Sequence, residues 1–134
     1  MGVVVFDSDV LIGFMSPDDA HHGEAVEWMR RAWRPGMRRW LCAVNLSEIL
    51  IGPLRAGTHA RVDMMLVKFS IETMRVDKAL AERAAAVRAR TGLKLPDAYA
   101  LATTIHGEKL GWTDVELASF DERVLKARAE LQAG

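Results

Sequence analysis

At 134 residues, half of them hydrophobic, the chain suits one domain, spanning 1–134, with a core that needs no disulfides. Its lone Cys42 rules out an internal disulfide and a cysteine-rich zinc site, and reads as a small core residue. Eighteen basic residues balance eighteen acidic ones, so bulk charge does not mark a nucleic-acid binder; with four acids occupied by a cation the remaining surface would carry 18 − 14 = +4. No apolar run approaches the ~18 residues of a membrane span, and the N-terminus has no basic segment before Asp7, so neither a membrane anchor nor a signal peptide is expected and the cytoplasm is the expected compartment.

Val3 to Phe6 is an unbroken β-branched and aromatic run, which predicts a fully buried strand of the kind found in parallel sheets. Asp18 and Asp19 open a helix through about Trp33, with Ala25, Val26, Met29 and Trp33 on its apolar face, ended by Arg34-Pro35-Gly36. Trp40 to Val44 reads as a second buried strand. Asn45 is placed to cap a short helix over Leu46 to Ile51, stopped at Gly52-Pro53, and a further helix covers Thr58 to Phe69. Ile71 to Val76 alternates as a strand does. Asp77 caps a helix to about Arg90 with Gly92 as its stop. Leu95-Pro96-Asp97 opens the next helix, with Ala98, Leu101, Ala102 and Ile105 on one face and Gly107 at its end. Val115 to Ser119 is the last strand and Glu122 to Leu131 the last helix. Strands alternating with helices predict an α/β fold with a mainly parallel sheet. In such sheets function gathers at the carboxyl ends of the strands.

Acids recur at that kind of place. Asp7 follows the first strand directly, Glu48 lies one helical turn past the second, Asp97 sits in the first turn of its helix, and Asp121 follows the last strand. Asp9 is close enough to Asp7 to join them. Aspartate and glutamate are also common at helix starts for capping and dipole reasons alone. A real cluster of carboxylates, however, raises its own pKa values unless a cation discharges it. Hard divalent cations that take oxygen ligands suit that task, and the chemistry they bring is phosphodiester hydrolysis.

Four segments carry a family resemblance: Val5-Phe6-Asp7-Ser8-Asp9-Val10-Leu11-Ile12, Asn45-Leu46-Ser47-Glu48-Ile49-Leu50-Ile51-Gly52, Leu95-Pro96-Asp97-Ala98-Tyr99-Ala100-Leu101-Ala102 and Leu117-Ala118-Ser119-Phe120-Asp121-Glu122-Arg123. In order and spacing along nearly the whole chain they resemble the PIN-domain ribonucleases, and among these the VapC-type toxins of bacterial toxin–antitoxin pairs. The third segment is the most specific. The resemblance implies a PIN-like, flattened α/β/α sandwich, with Asp7, Glu48, Asp97 and Asp121 as catalytic and metal-binding residues and Ser8 and Ser119 as hydroxyl partners. It also implies Mg²⁺ or Mn²⁺ dependence, endonucleolytic cleavage of tRNA, rRNA or mRNA, a homodimer, and a cognate antitoxin that blocks the site. The fourth segment departs from the family pattern in having Ser119 where Thr is usual, and Thr113-Asp114 is a rival for it. Asp121 is preferred because the strand residues Val115 and Leu117 precede it.

Arg30, Arg31, Arg34, Arg38 and Arg39, interleaved with Trp33 and Trp40, could face RNA, since guanidinium groups hold phosphates and indoles stack on bases. A solvated basic helix end with tryptophan in the core is the preferred reading. His21, His22, His59 and His106 show no ligand spacing, and no Ser-His-Asp order, phosphate-binding glycine loop or HExxH motif is present. Met64 to Val67 with Phe69 is more apolar than a surface helix needs, and is read as core in preference to a dimer or antitoxin groove. Two other functions fit the acids less well. A receiver-like phosphoacceptor module requires adjacent early acids and a late lysine after a strand, whereas Lys109 precedes its strand. A PIN-fold protein that only binds RNA would not need the full set of acids.

Overall fold

The computed structural model describes residues 1–133. The chain order is β1 (Gly2–Phe6), α1 (Ser8–Met15), α2 (His22–Ala32), β2 (Met37–Cys42), α3 (Ala43–Ala56), α4 (Ala60–Lys68), β3 (Ile71–Met74), α5 (Lys78–Thr91), α6 (Leu95–Lys109), β4 (Asp114–Ala118) and α7 (Glu122–Ala133). The strands form one sheet in the order β3-β2-β1-β4, and every pairing is parallel. Phe6 lies opposite Leu41 on one side and Ala118 on the other, so β1, β2 and β4 end together at one edge.

Strand alternation divides the core in two. Val3 and Val5 face one layer, with Trp40, Leu117 and the buried faces of α5, α6 and α7. Val4 and Phe6 face the other, with Leu41, Ile71 and apolar residues of α1 to α4. Because both faces of β1 are covered, its sequence shows no polar alternation. The result is an α/β/α sandwich. No described helix is long and apolar enough to cross a membrane.

Several elements differ from the sequence expectations. Ser8–Met15, where no helix was expected, is α1, with the Asp7 carboxylate accepting from the Ser8 backbone N–H at its start. Asp18 and Asp19 do not open α2, which starts at His22. Asp19 instead sits in a turn, its carboxylate accepting from the His21 backbone N–H at 2.8 Å. β2 begins at Met37 and ends at Cys42, two residues short of Val44. Gly52-Pro53 does not stop α3. Pro53 removes a single donor, while Ile49 is buried and Leu46 and Leu50 pack on the same layer. The stop comes at Gly57, whose φ of +73° is a left-handed cap that glycine adopts without strain. Asn45 lies inside α3 and caps nothing. α6 likewise runs through Gly107 to Lys109. Gly107 serves close packing: a Cβ there would stand 3.0 Å from a ring carbon of Trp40.

Met65 is core, as expected, but its neighbours are not: Met64 is 68% and Val67 80% exposed. Trp40 is buried, while Trp33 is half exposed beneath the Arg39 guanidinium, 4.3 Å from the ring centroid.

Candidate functional site

The site grows from the register of β1 and β4. Phe6 pairs with Ala118, and the Asp7 N–H continues the ladder to the Ala118 carbonyl at 2.8 Å. The next residues of the two chains therefore meet. Ser119 Oγ donates to Asp7 Oδ2 at 2.9 Å, and the Ser8 N–H donates to Asp7 Oδ1 at 2.8 Å. Asp7 is held in one rotamer and is 2% exposed. Ser119 Oγ also accepts from the Asp121 N–H at 3.1 Å, and the Phe120 N–H donates to Asp9 Oδ2 at 2.9 Å. The loop after β4 thus knits Asp7, Asp9 and Asp121 together. The remaining acids arrive on helices. Glu48 lies in the second turn of α3, where Asn45 Nδ2 donates to its Oε1 at 3.1 Å. Asp97 lies in the first turn of α6, directly after Pro96.

Their electrostatics describe one cluster. The Asp7 carboxyl is pushed up to about 7, first by burial and then by the charges of Asp9 and Asp97, against the opposing hydrogen bonds from Ser119 and Ser8. Burial also raises Asp9, where the Phe120 and Val10 N–H groups oppose it and Asp121 and Asp97 add to it. Asp97 is raised by burial and then by Asp121 and Glu48, with Arg123 and Lys94 acting the other way. Asp121 lies below the usual carboxylate value. Slight burial pushes it up, and the Arg123 guanidinium and backbone N–H pull it down further.

The donors are hard oxygens, the class that suits Mg²⁺ or Mn²⁺. One of them, Asp9 Oδ1, is buried with no hydrogen-bond partner, which fits a ligand atom. Among the described residues no three acids are already gathered into a group that could hold an ion between them.

The rival acid Asp114 opens β4 at the opposite edge of the sheet and faces Arg34 at 3.4 Å. The arginine-rich segment lies at that edge too, and its cations are engaged. Arg31 and Arg34 both reach Glu116 at 2.5 Å, Arg38 pairs with Glu72, and Arg30 pairs with Glu27 at 3.2 Å. Arg39 donates to the carbonyls of Phe69, Ala32 and Met37. The five arginines thus form no free surface beside the acids. The cations near the acids are Lys94 and Arg123, which sequence reading did not single out. Asn45, read as a cap, also belongs to the site, and its spacing of three residues from Glu48 was the only signal of that in the sequence. His21 stacks on Phe120 with ring centroids 4.9 Å apart, and His22 Nδ1 lies 2.8 Å from the Gly13 carbonyl.

Comparison with known proteins agrees with this architecture. Among solved structures the chain is similar to a toxin–antitoxin complex from Klebsiella pneumoniae, with 25% identity and a TM-score of 0.67 over 90% of this chain and 87% of that one. It is also similar to Mycobacterium tuberculosis VapC20, a sarcin–ricin loop cleaving toxin, with 22% identity and a TM-score of 0.68 over 95% of both chains. A third likeness is to VapBC2 from Rickettsia felis bound to a promoter DNA fragment, with 13% identity and a TM-score of 0.55 over 90% of this chain and all of that one. No curated protein matches the chain. The PIN domain family model matches residues 4–131, and the chain belongs to the PIN domain family.

Proposed function

We propose that the chain is a divalent-metal-dependent endoribonuclease, the toxin of a toxin–antitoxin pair, in which Asp7, Glu48, Asp97 and Asp121 hold Mg²⁺ or Mn²⁺ and Asp9 adds a fifth carboxylate. The observation that carries this reading is the buried Asp7 carboxyl. It is pushed up to about 7 within a set of acids that a cation would discharge. When bound, the ion supplies a water of lowered pKa and positive charge opposite the phosphate under attack. The chain's own part is to hold the acids still. The Ser8 N–H and Ser119 hydroxyl fix Asp7, the Phe120 N–H fixes Asp9, and Arg123 keeps Asp121 ionised. Lys94, exposed at the start of α6, is the cation placed to meet a phosphate of the approaching strand.

The substrate class is tRNA, rRNA or mRNA, met in the cytoplasm. The proposed partners are a second copy of the chain and a cognate antitoxin; the antitoxin is in keeping with the Klebsiella pneumoniae toxin–antitoxin complex. Membership of the PIN family, rather than of the receiver domains, favours hydrolysis over phosphoryl acceptance.

The test is incubation of purified protein with total RNA, in Mg²⁺ or Mn²⁺ and in EDTA, beside an Asp97→Asn control. Cleavage that requires the metal and falls at least a hundredfold in the control supports the reading. Equal cleavage in EDTA, or an Asp97→Asn protein as active as the wild type, overturns it.

A further inference from the structure

Asn45 is fully buried, yet it does neither of the things that usually explain an asparagine there. It is the third residue of α3, so it is not placed to cap the helix. It does not satisfy itself in the core either, because its Oδ1 is buried without a partner. Only its donor end is used. Nδ2 gives one hydrogen to Glu48 Oε1 at 3.1 Å and the other to the Pro96 carbonyl at 3.0 Å. Both neighbours are acceptors, so the nitrogen and not the oxygen must face them.

These two bonds tie α3, which carries Glu48, to the start of α6, which carries Asp97. α3 delivers Ile49 to one core layer, and α6 delivers Leu101 to the other. The carboxamide bridges them at the carboxyl edge, and Pro96 immediately precedes Asp97. We propose that Asn45 is the positioning residue of the acid cluster: its buried carboxamide ties Glu48 to the turn that carries Asp97, and so sets the separation of those two carboxylates for a divalent ion. The inference rests on the metal-dependent reading above and deepens it. Glu48 is otherwise a long side chain with several rotamers. A hydrogen bond from a buried, doubly engaged amide removes most of that freedom before the ion arrives. Groups that orient ligands in this way typically change metal affinity ten- to a hundredfold, by order of magnitude, when removed.

A double-mutant cycle on the full chain separates positioning from simple packing. Mn²⁺ alone is titrated calorimetrically into wild type, Asn45→Leu, Glu48→Gln and the double variant. Circular dichroism and thermal melts report the fold of each. Leucine has the same number of side-chain heavy atoms in the same branched arrangement but no donor, so the fold is expected to persist at some cost in stability. If Asn45→Leu does not fold, Asn45→Ser carries the same cycle. Asn45→Leu is expected to weaken Mn²⁺ binding by about tenfold, and Glu48→Gln by at least as much. The double variant should bind no more weakly than Glu48→Gln, because Asn45 acts through that carboxylate. Three results would overturn the proposal. Mn²⁺ affinity of Asn45→Leu within twofold of wild type, whatever its melting point, makes the residue structural only. A full further loss in the Glu48→Gln background shows that it acts elsewhere. Absence of Mn²⁺ binding by the wild type removes both this inference and the metal-dependent reading.

Discussion

The carboxyl of Asp7 makes the stability of the metal-free protein fall as pH rises, and Asp7→Asn should abolish much of that fall. Its folded value of about 7 lies above its ordinary value of 3.8. The folded state therefore binds more protons between those two points, and the stabilisation is present below pH 4 and lost as pH rises through 7. At about 1.4 kcal/mol per pH unit, the raised value costs the native state, relative to strongly acidic pH, about 4 kcal/mol at pH 8 but only about 1.7 kcal/mol at pH 5, where the folded carboxyl is still protonated. Asparagine can still accept from the Ser8 N–H and meet the Ser119 hydroxyl, and it has its own fixed desolvation cost. That cost cancels when the variant is compared with wild type at two pH values. The difference in stability between them should change by about 2.5 kcal/mol from pH 5 to pH 8, or roughly 8 °C in melting point for a chain of this size. The assay is thermal unfolding of both proteins in EDTA at each pH. Millimolar Mg²⁺ at pH 8 should then stabilise wild type well beyond Asp7→Asn, by about 2.7 kcal/mol at a hundred times the dissociation constant. A melting-point difference that moves by less than about 2 °C between pH 5 and pH 8 would refute the reasoning.

Further expectations concern the two edges of the sheet. Lys94→Glu should weaken binding of a single-stranded RNA several-fold and lower the salt slope by about 0.7 for one lost phosphate contact, measured by fluorescence anisotropy at several salt concentrations. Arg38→Glu breaks an exposed pair with Glu72 and removes the guanidinium 5.7 Å from the Trp112 ring centroid, so it should cost about 1–2 kcal/mol and leave cleavage unchanged in the same RNA assay. Arg39→Ala leaves three carbonyls without their donor and uncovers Trp33, and should cost about 2 kcal/mol in denaturant melts. Gly107→Ala drives a methyl group to 3.0 Å from Trp40, and should destabilise by about 1–3 kcal/mol with no effect on metal affinity.

What the sequence made legible follows from where a side chain's environment is local. Val3 to Phe6 announces its own strand because both faces of β1 are buried, and each acid after a strand can be placed from its immediate neighbours. The all-parallel sheet follows from the alternation of elements. Long-range packing was harder to read. Gly107 reads as a helix stop until Trp40 is seen against it. Pro53 reads as a break until Ile49 shows what holds the helix together. Asn45 reads as a cap because its second partner, the Pro96 carbonyl, is 51 residues away. α1 was missed because Ser8–Met15 is apolar almost throughout, with buried Val10 and Leu11 beside partly exposed Ile12, and so shows no helical period. Met64 and Val67 err in the other direction, since apolar composition alone says nothing about which side of a helix meets the core.

The zero net charge of the chain hides an uneven distribution between the two edges of the sheet. At the amino ends of the strands Arg31, Arg34 and Arg38 are matched by Asp114, Glu116 and Glu72. Guanidinium groups of the kind that holds phosphates are thereby consumed in structure, and Glu116 is held below the usual carboxylate value: partial burial pushes it up, and Arg34 and Arg31 pull it down further. At the carboxyl ends Asp7, Asp9, Glu48, Asp97 and Asp121 face only Lys94 and Arg123, a formal excess of 5 − 2 = 3 negative charges. A polyanion would be repelled from such an edge, and three of its acids resist ionisation, first through burial and then through one another's charge. A divalent cation removes both obstacles at once, since it discharges the acids and presents positive charge to the incoming phosphate. In the proposed nuclease, the order of events is thus set by electrostatics before any chemistry occurs: the acids must be occupied before the strand can come close.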